Sequence, residues 1–243
     1  MKTAILGASK GMGRALARVR AERGDDIVLL GRDLAELERS AADLRVRTRG
    51  TVSVLACDLE APDAFPETVE ALFGAGRIDN FVITAAHFGT QEELEADPVR
   101  ARRLLTANLA NTIELCERAR VAMLAQGGGT LCVFSSVAGD RGRKPVGIYG
   151  ASKAGLSHYL EALDHKWRAS GLVTICVKPG FVKTGMTAAL KPPPFAGEPE
   201  AVARQVSAAI DRGTPLIYTP SIWRWVMLVI QHLPRFVMRR ISF

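Results

Sequence analysis

The amino-acid sequence predicts an α/β fold in which a doubly wound parallel sheet of seven strands carries helices on both faces. Short apolar runs alternate regularly with longer amphipathic segments, and this alternation implies right-handed crossovers between parallel strands. Glycines follow several helical segments where a helix should end, as at Gly24, Gly127 and Gly171. A glycine-rich turn joins the first strand to the first helix.

Hydrophobic periodicity locates the individual elements. Strand-like runs cover residues 2–6, 26–30, 51–56, 79–84, 130–135, 173–177 and 216–219. Helical patterns cover residues 11–23, 33–49, 63–73, 98–126, 147–170 and 199–212. The stretch KPPPFAGEP, residues 191–199, is typical of a loop, and no linker or repeat divides the chain. We therefore expect one domain over residues 1–243, with residues 221–243 as an apolar and basic C-terminal extension.

The charge balance favours anionic partners. The 243 residues include 32 Lys and Arg against 25 Asp and Glu, a formal net charge of +7, which suits nucleotides, phosphorylated substrates or a membrane surface. The excess charge is dispersed along helices and no aromatic residues interleave with it, so we predict no nucleic-acid binding.

The cysteines and histidines indicate neither disulfides nor a metal site. Cys57, Cys116, Cys132 and Cys176 lie far apart with no CxxC pair, which is typical of buried thiols in a reducing compartment. The four histidines form no HxxxH or HExxH pattern, so we predict no metal. Because a strand begins almost at the N-terminus and leaves no room for a leader, we expect a cytoplasmic protein.

The turn after the first strand has the composition of a phosphate-binding site. In ILGASKGMGRALA, residues 5–17, Gly7, Gly11 and Gly13 lack a Cβ. The backbone can therefore turn tightly and let a pyrophosphate approach the helix N-terminus, where free N–H groups favour anions. A plain tight turn would use the same residues, so this motif alone is weak.

The segment YGASK, residues 149–153, places a phenol one helical turn before an ammonium. A free tyrosine, with a pKa of about 10, is a poor acid near neutrality, and a neighbouring cation would draw that pKa toward working pH. Ser136 lies thirteen residues before Tyr149, at the end of the fifth strand, where open parallel sheets bind ligands. Its hydroxyl there would hydrogen-bond a substrate oxygen as negative charge develops.

Together with the GxxxGxG spacing of the first turn, these residues resemble the short-chain dehydrogenase/reductase (SDR) family, whose catalytic pattern is a serine, a tyrosine thirteen residues on and a lysine four beyond. The resemblance extends to NLAN, whose Asn108 matches the family's helix asparagine, and to KPGFVKT, residues 178–184, which matches the segment that lines the nicotinamide. It implies a Rossmann-like fold and an NAD(P)-dependent oxidoreductase.

The same resemblance implies a role for each catalytic residue. Tyr149 would act as the proton donor, and Ser136 would polarise the substrate carbonyl. Lys153, together with an oxidised nicotinamide, would lower the pKa of the phenol, and it would also hold the nicotinamide ribose. Asn108 would steady a water chain that leads to the lysine.

The end of the second strand favours NADP(H) over NAD(H). An enzyme that reads an unphosphorylated ribose usually has an acidic residue there, whereas this chain has Gly31 followed by Arg32. Lys10, just before the second glycine of the first turn, can converge with Arg32 on a 2′-phosphate. Asp33 is the obvious objection, but we expect it to begin the next helix, where a negative charge suits the N-terminus.

The resemblance also assigns cofactor contacts along the chain, with Asp58 on the adenine amino group. The predicted cofactor-binding residues are Gly7, Ser9, Lys10, Gly11, Met12, Gly13, Arg32, Asp58, Leu59, Ala85, Tyr149, Lys153, Pro179, Gly180, Val182 and Thr184. One motif departs from the family: ITAAHFG replaces NNAG after the fourth strand, so that Thr84 and Ala86 take the positions of the second Asn and the Gly. These small residues still permit close approach of a cofactor.

The C-terminal segment from Ser221 mixes aromatic and aliphatic residues with arginines. Between Arg224 and Arg235 there are only ten residues, whereas a helix that spans a bilayer needs about 20. Two readings stay open: the segment covers the substrate pocket or a subunit contact, or it lies in an anionic membrane interface. Together with residues 180–204, this ending resembles the reductases that act on decaprenylphosphoryl-2-keto-pentose.

We therefore predict NADPH-dependent reduction of a ketone to a secondary alcohol. The substrate is expected to be a small-molecule or lipid-linked carbonyl compound, with a lipid-linked 2-keto sugar or another lipophilic or acyl ketone as alternatives. A non-catalytic NADP(H)-sensing protein is the alternative from another class. We expect a homo-oligomer, a dimer or tetramer, in the cytoplasm, with peripheral contact at the inner membrane surface as an open alternative.

Overall fold

The computed structural model, which describes residues 1–241, contains one parallel sheet of seven strands in the order β3-β2-β1-β4-β5-β6-β7. Every neighbouring pair of strands is parallel, which confirms the predicted fold class. The strands are β1 (Lys2–Leu6), β2 (Asp26–Gly31), β3 (Val52–Ala56), β4 (Asn80–Ile83), β5 (Gly129–Phe134), β6 (Leu172–Pro179) and β7 (Leu216–Thr219).

Helices cover both faces of the sheet, as the sequence predicts. They are α1 (Gly11–Glu22), α2 (Leu34–Arg45), α3 (Phe65–Gly74), α4 (Gln91–Ala96), α5 (Pro98–Leu105), α6 (Thr112–Ala125), α7 (Gly147–Trp167), α8 (Pro199–Arg212), α9 (Ile222–His232) and α10 (Arg235–Met238). Apolar residues of α1, α2 and α8 pack on one face of the sheet, and those of α3, α6 and α7 pack on the other.

The strand order reverses between β1 and β4. The chain leaves β1 toward β2 and β3 on one side and later returns to β4 on the other side. A crevice opens outside the carboxyl ends of the strands at such a switch point, and open α/β sheets bind their ligands there. The glycine-rich turn after β1 and the residues after β4 both border this crevice.

The predicted helix over residues 98–126 is not continuous. Pro98 starts α5, and a π-helical segment, Thr106–Asn111, separates α5 from α6. The sequence analysis also missed α4, which begins in a capping box between Thr90 and Glu93. Both deviations depend on local hydrogen-bond patterns that apolar periodicity does not record.

The predicted helix over residues 33–49 is also too long, since α2 ends at Arg45. The Arg45 guanidinium donates to the carbonyl oxygen of Val52 at 3.1 and 3.0 Å. These bonds tie the end of the helix to β3.

The C-terminal extension folds as α9 and α10, and Ser242 and Phe243 lie outside the described residues. The inner side of α9, with Trp223, Met227 and Ile230, packs against Val137. Among the residues that the structure describes, no helix has the length and apolar character to cross a bilayer.

A buried arginine joins the other end of the sheet to α8. The Arg20 side chain is almost fully buried, and its guanidinium lies 2.6 Å from an Asp25 carboxylate oxygen and 2.7 Å from one of Asp211. Each carboxylate compensates part of the charge that burial would otherwise leave uncompensated. This network fixes α1 against α8.

Candidate active site

The glycine-rich turn after β1 fits the close approach of a nucleotide. Gly7 has φ 92° and Gly11 has φ 56°, a left-handed conformation that glycine adopts without strain. A Cβ added to Gly13 would lie 2.3 Å from the Gly7 carbonyl oxygen and 2.5 Å from Thr84 Oγ1. The turn therefore leaves the N-terminus of α1 open to an anion, and its residues fit a dinucleotide pyrophosphate.

Thr84 holds this turn from the neighbouring strand. Its hydroxyl donates to the Leu6 carbonyl oxygen at 3.0 Å, with the Gly7 carbonyl oxygen at 3.2 Å. The sequence analysis had noted Thr84 only as a departure from the family motif and had given it no role. Its position directly after β4, facing the first glycine turn, is the signal that could have assigned it.

Most predicted cofactor contacts border one cleft. This cavity, of about 340 Å³, opens at the switch point between β1 and β4. The predicted residues that line it are Gly7, Ser9, Lys10, Gly11, Met12, Gly13, Arg32, Asp58, Leu59, Ala85 and Thr184. His87, which the sequence analysis did not select, lines it as well.

Arg32 stands at the outer end of this cleft, beside an acidic residue. The Arg32 guanidinium is largely exposed and lies 3.7 Å from the Glu60 carboxylate, which also pairs with Arg103. Asp33 does not face the cleft as a ribose acceptor, because its carboxylate accepts from the Glu36 backbone N–H at 3.0 Å and caps α2. This confirms the expected role of Asp33 at the helix start.

Ser136, Tyr149 and Lys153 converge at the carboxyl end of β5. Ser136 lies two residues after the end of β5, and its hydroxyl accepts from the Ala138 backbone N–H at 3.1 Å. The same hydroxyl is close enough to Tyr149 to influence the pKa of the phenol. Tyr149 and Lys153 lie on one face of α7, with the Lys153 Nζ 5.8 Å from the centroid of the Tyr149 ring. Ser135 instead donates to the Lys153 carbonyl oxygen at 2.9 Å and turns away from the phenol.

Burial changes the pKa of both ionisable groups. It raises the pKa of Tyr149 to about 12, with the hydrogen bond from Ser136 opposing the rise. It lowers the pKa of Lys153 to about 8, and the Lys153 ammonium donates to the Phe134 carbonyl oxygen at 2.8 Å. Desolvation of the phenolate thus acts against the expected lowering of the phenol's pKa. That expectation includes an oxidised nicotinamide beside Lys153 and stays a prediction.

The Asn108 side chain contacts the backbone of His87, and its expected role in a water chain stays a prediction. Its side-chain oxygen accepts from the His87 backbone N–H at 2.7 Å, and its amide donates to the His87 carbonyl oxygen at 2.8 Å. The residue is buried within the π-helical segment. The Asn108 side chain thus fixes the segment after β4 that borders the cleft.

A buried ion pair that the sequence analysis missed fixes the loop after Ser136. The Lys178 ammonium lies 2.6 Å from an Asp140 carboxylate oxygen, and both side chains are mostly buried. The other Asp140 oxygen accepts from the Tyr218 hydroxyl at 2.9 Å. The loop is therefore tied to both β6 and β7.

The remaining predicted cofactor residues follow the end of β6. Pro179 ends the strand, Gly180 follows it, and Val182 pairs with Gly197 in a short bridge. A Cβ on Gly180 would lie 2.2 Å from Trp223 Nε1. The first turn of α9 therefore forms a wall beside the segment that was predicted to line the nicotinamide.

Residues 1–241 contain no group of three or more His, Cys, Asp or Glu side chains that would suit a metal ion. The four cysteines are free and buried.

A doubly wound sheet with a glycine cradle at its switch point is the architecture of dinucleotide-binding proteins.

Comparison with known proteins assigns the family. The family model described as short chain dehydrogenase matches residues 2–194. The chain therefore belongs to the short-chain dehydrogenase family, and it is an oxidoreductase of the kind that binds a nicotinamide cofactor.

Similar proteins extend along most of the chain. An uncharacterized oxidoreductase of Mycobacterium tuberculosis is 31% identical over 239 residues, which cover 97% of this chain and 95% of that protein. Carbonyl reductase family member 4 of Xenopus tropicalis is 31% identical and covers 84% of this chain and 88% of its own. The structure of a short-chain dehydrogenase from Sphingobium yanoikuyae in complex with NADPH has a TM-score of 0.81 at 26% identity, covering 99% of this chain and 96% of that one.

Proposed function

We propose that the protein is an NADPH-dependent reductase that converts a ketone to a secondary alcohol. The observation that carries the proposal is the convergence of Ser136 and Tyr149 at the carboxyl end of β5, where the Ser136 hydroxyl lowers the pKa of the phenol, with the buried Lys153 ammonium 5.8 Å from the centroid of the Tyr149 ring. Two hydroxyls at the carboxyl end of a parallel strand can bind one carbonyl oxygen, and one of them can transfer a proton to it.

Ser136 and Tyr149 each act on the carbonyl oxygen of the substrate. Ser136 donates a hydrogen bond to the substrate oxygen, which stabilises the negative charge that develops on it. Tyr149 supplies the proton to that oxygen. When bound, a reduced nicotinamide supplies the hydride and, once oxidised, a positive charge that favours the phenolate.

Lys153 acts on the phenol, and we expect it also to hold the ribose of the bound nicotinamide nucleotide. Its ammonium lies close enough to the Tyr149 ring to favour the phenolate after proton transfer. Because burial lowers its pKa to about 8, a substantial fraction of Lys153 is neutral at mildly alkaline pH. We expect Asn108 to contribute by positioning His87 and the cleft wall.

The preference for NADPH depends on Arg32 and Lys10, which line the same cleft. A 2′-phosphate would attract both cations, and it would compete with Glu60 for the Arg32 guanidinium. We expect Arg32→Ala to weaken NADPH binding by about 10- to 100-fold, the size of a charge-assisted hydrogen bond, and to leave NADH binding unchanged. Arg102→Ala, an exposed arginine on α5, is the control. Equal use of NADPH and NADH by the parent would contradict the proposal.

The substrate that fits best is a lipophilic ketone. Apolar side chains surround the candidate site: Val137, Phe181 and Trp223 pack in one cluster next to Ser136, and the Phe88 ring meets the Tyr149 ring edge-to-face at 5.2 Å. A fatty-acyl ketone and a lipid-linked 2-keto sugar both carry such an apolar part.

A ketone panel with purified protein tests the activity. NADPH oxidation is followed with short and long 3-oxoacyl thioesters, simple ketones and a polyprenyl-phosphate 2-keto sugar, and the alcohol product is identified by mass spectrometry. We expect turnover on at least one lipophilic ketone. Tight NADPH binding without turnover on any ketone would instead support the NADP(H)-sensing alternative.

Quaternary structure and location belong to the same proposal. We expect a homo-oligomer in the cytoplasm, and light scattering coupled to size-exclusion chromatography measures the number of subunits. A monomer at micromolar concentration would contradict this part.

A further inference from the structure

Helix α9 is apolar around most of its circumference, although one side of it faces solvent. Its eleven residues include only three polar ones, Arg224, Gln231 and His232. The side opposite to the buried Trp223 and Met227 exposes four large apolar residues, namely Ile222, Trp225, Leu228 and Val229. Helices of this kind are normally covered on all sides by protein or lipid.

The exposed apolar residues continue beyond α9. Phe236 on α10 is 61% exposed, and with the four residues of α9 it forms what we call the outer apolar surface (Ile222, Trp225, Leu228, Val229 and Phe236). Phe195, also exposed, lies next to the start of α9, because its carbonyl oxygen accepts from Trp223 Nε1 at 3.3 Å. Phe195 has φ 69°, a conformation that is uncommon for a bulky residue and that in other proteins is often found in ligand-binding segments.

The charge of this part of the chain has a single sign. From residue 212 to the C-terminus the sequence contains no Asp or Glu. Arg224, Arg235, Arg239 and Arg240 are all exposed beside the outer apolar surface. An anionic phospholipid leaflet matches this arrangement, because its acyl chains can cover the apolar residues and its negatively charged headgroups can bind the arginines.

The helix that carries the outer apolar surface also forms a wall of the candidate active site on its inner side. The Arg141 guanidinium donates to the Leu233 carbonyl oxygen at 2.9 Å, and the Lys144 ammonium donates to the Arg239 carbonyl oxygen at 2.7 Å. Val137, which follows Ser136, packs under the inner side of α9. A membrane bound to the outer side would therefore lie close to the loop that follows Ser136.

We propose that the outer apolar surface and its four arginines bind an anionic phospholipid membrane, with α9 lying in the plane of the headgroups. Eleven residues are too few to span a bilayer but enough to lie within its interface. A second copy of this chain is a poorer occupant, because a two-fold contact would bring two sets of four arginines together with no acidic residue from either segment. The proposal does not depend on the enzymatic activity.

Vesicle flotation tests the apolar part of this surface. Full-length protein is mixed with phosphatidylcholine vesicles that contain one third phosphatidylglycerol, and with pure phosphatidylcholine vesicles. We expect flotation with the anionic vesicles only, and a loss of at least about tenfold in binding for Trp225→Ser/Val229→Ser. The matched control, Val46→Ser/Val121→Ser, removes two exposed valines elsewhere and should bind as the parent does.

The charged part is tested with a second pair of variants. Each arginine near an anionic surface contributes about fivefold, so Arg239→Gln/Arg240→Gln should weaken binding by about 30-fold. Arg49→Gln/Arg102→Gln removes the same charge from other exposed positions and should change binding much less. Thermal melting of each variant checks that it is folded.

Three results would overturn the proposal. In the first, the parent protein does not float with anionic vesicles. In the second, the Trp225→Ser/Val229→Ser variant floats as well as the parent does. In the third, the parent does not float and the same substitutions turn a stable oligomer into monomers, which assigns the surface to a contact between copies. None of these readouts uses NADPH or a ketone, so failure here is distinct from failure of the proposed function.

Discussion

The glycine cradle leads to a quantitative prediction for Gly13→Ala. The new Cβ would lie 2.3 Å from the Gly7 carbonyl oxygen and 2.5 Å from Thr84 Oγ1, about 1 Å closer than ordinary contacts between carbon and oxygen. The Gly7 oxygen belongs to the backbone, and Thr84 Oγ1 is held by the Leu6 carbonyl at 3.0 Å. The start of α1 must therefore move by roughly 1 Å. Such overpacking costs about 1–3 kcal/mol of stability.

The same displacement should weaken NADPH binding more than tenfold, because the pyrophosphate depends on the backbone N–H groups of this turn. Isothermal titration calorimetry with NADPH and urea denaturation measure the two effects. Gly74→Ala is the matched control, since a Cβ on Gly74, the last residue of α3, would meet no atom within 4 Å and should leave NADPH affinity unchanged. Parental NADPH affinity in the Gly13→Ala protein would refute the reasoning.

Three further predictions concern stability. Arg20→Ala leaves the buried Asp25 without its partner at 2.6 Å and should lower the free energy of unfolding by about 3–5 kcal/mol, measured in urea; a change under 1 kcal/mol would contradict it. Lys178→Ala should lower the free energy of unfolding by a similar amount, because it leaves the buried Asp140 carboxylate without the ammonium that lies 2.6 Å away. It should also lower kcat, because Asp140 holds the loop after β5. Unaltered melting and kcat would count against this prediction. Burial raises the pKa of the Cys57 thiol to about 12 from an ordinary 9.0. Above pH 9 the unfolded chain therefore loses this proton while the folded protein keeps it, and the free energy of unfolding should fall by about 1.4 kcal/mol per pH unit. An unfolding free energy that is as high at pH 10.5 as at pH 8 would contradict this prediction.

The sequence predicted the elements whose pattern is local. Each of the seven strands is a short apolar run, and the apolar residues of helices such as α1 and α8 recur on one side. The parallel sheet follows from their alternation. Ser136, Tyr149 and Lys153 could be selected because their spacing along the chain reflects their positions, just after β5 and on α7.

The features that the sequence did not reveal depend on contacts between distant residues. Asp140 and Lys178 are 38 positions apart, and nothing near either residue indicates the other. Thr84 approaches Gly7 only because β4 pairs with β1. The pKa of Tyr149 depends on how deeply the fold buries the phenol, which spacing alone does not determine. Likewise, the sequence does not show which side of α9 is exposed, because the helix is apolar around most of its circumference and only the packing of Trp223 and Met227 determines the buried side.

The most direct test of the central claim compares the parent with Tyr149→Phe on the best ketone of the panel. This substitution removes the hydroxyl that bonds Ser136 and keeps the ring that packs against Phe88. We expect kcat for ketone reduction to fall by at least about 100-fold, the contribution of general acid catalysis, while the dissociation constant for NADPH stays within about twofold of the parent value. A Tyr149→Phe protein that reduces the ketone at the parental rate would contradict the account.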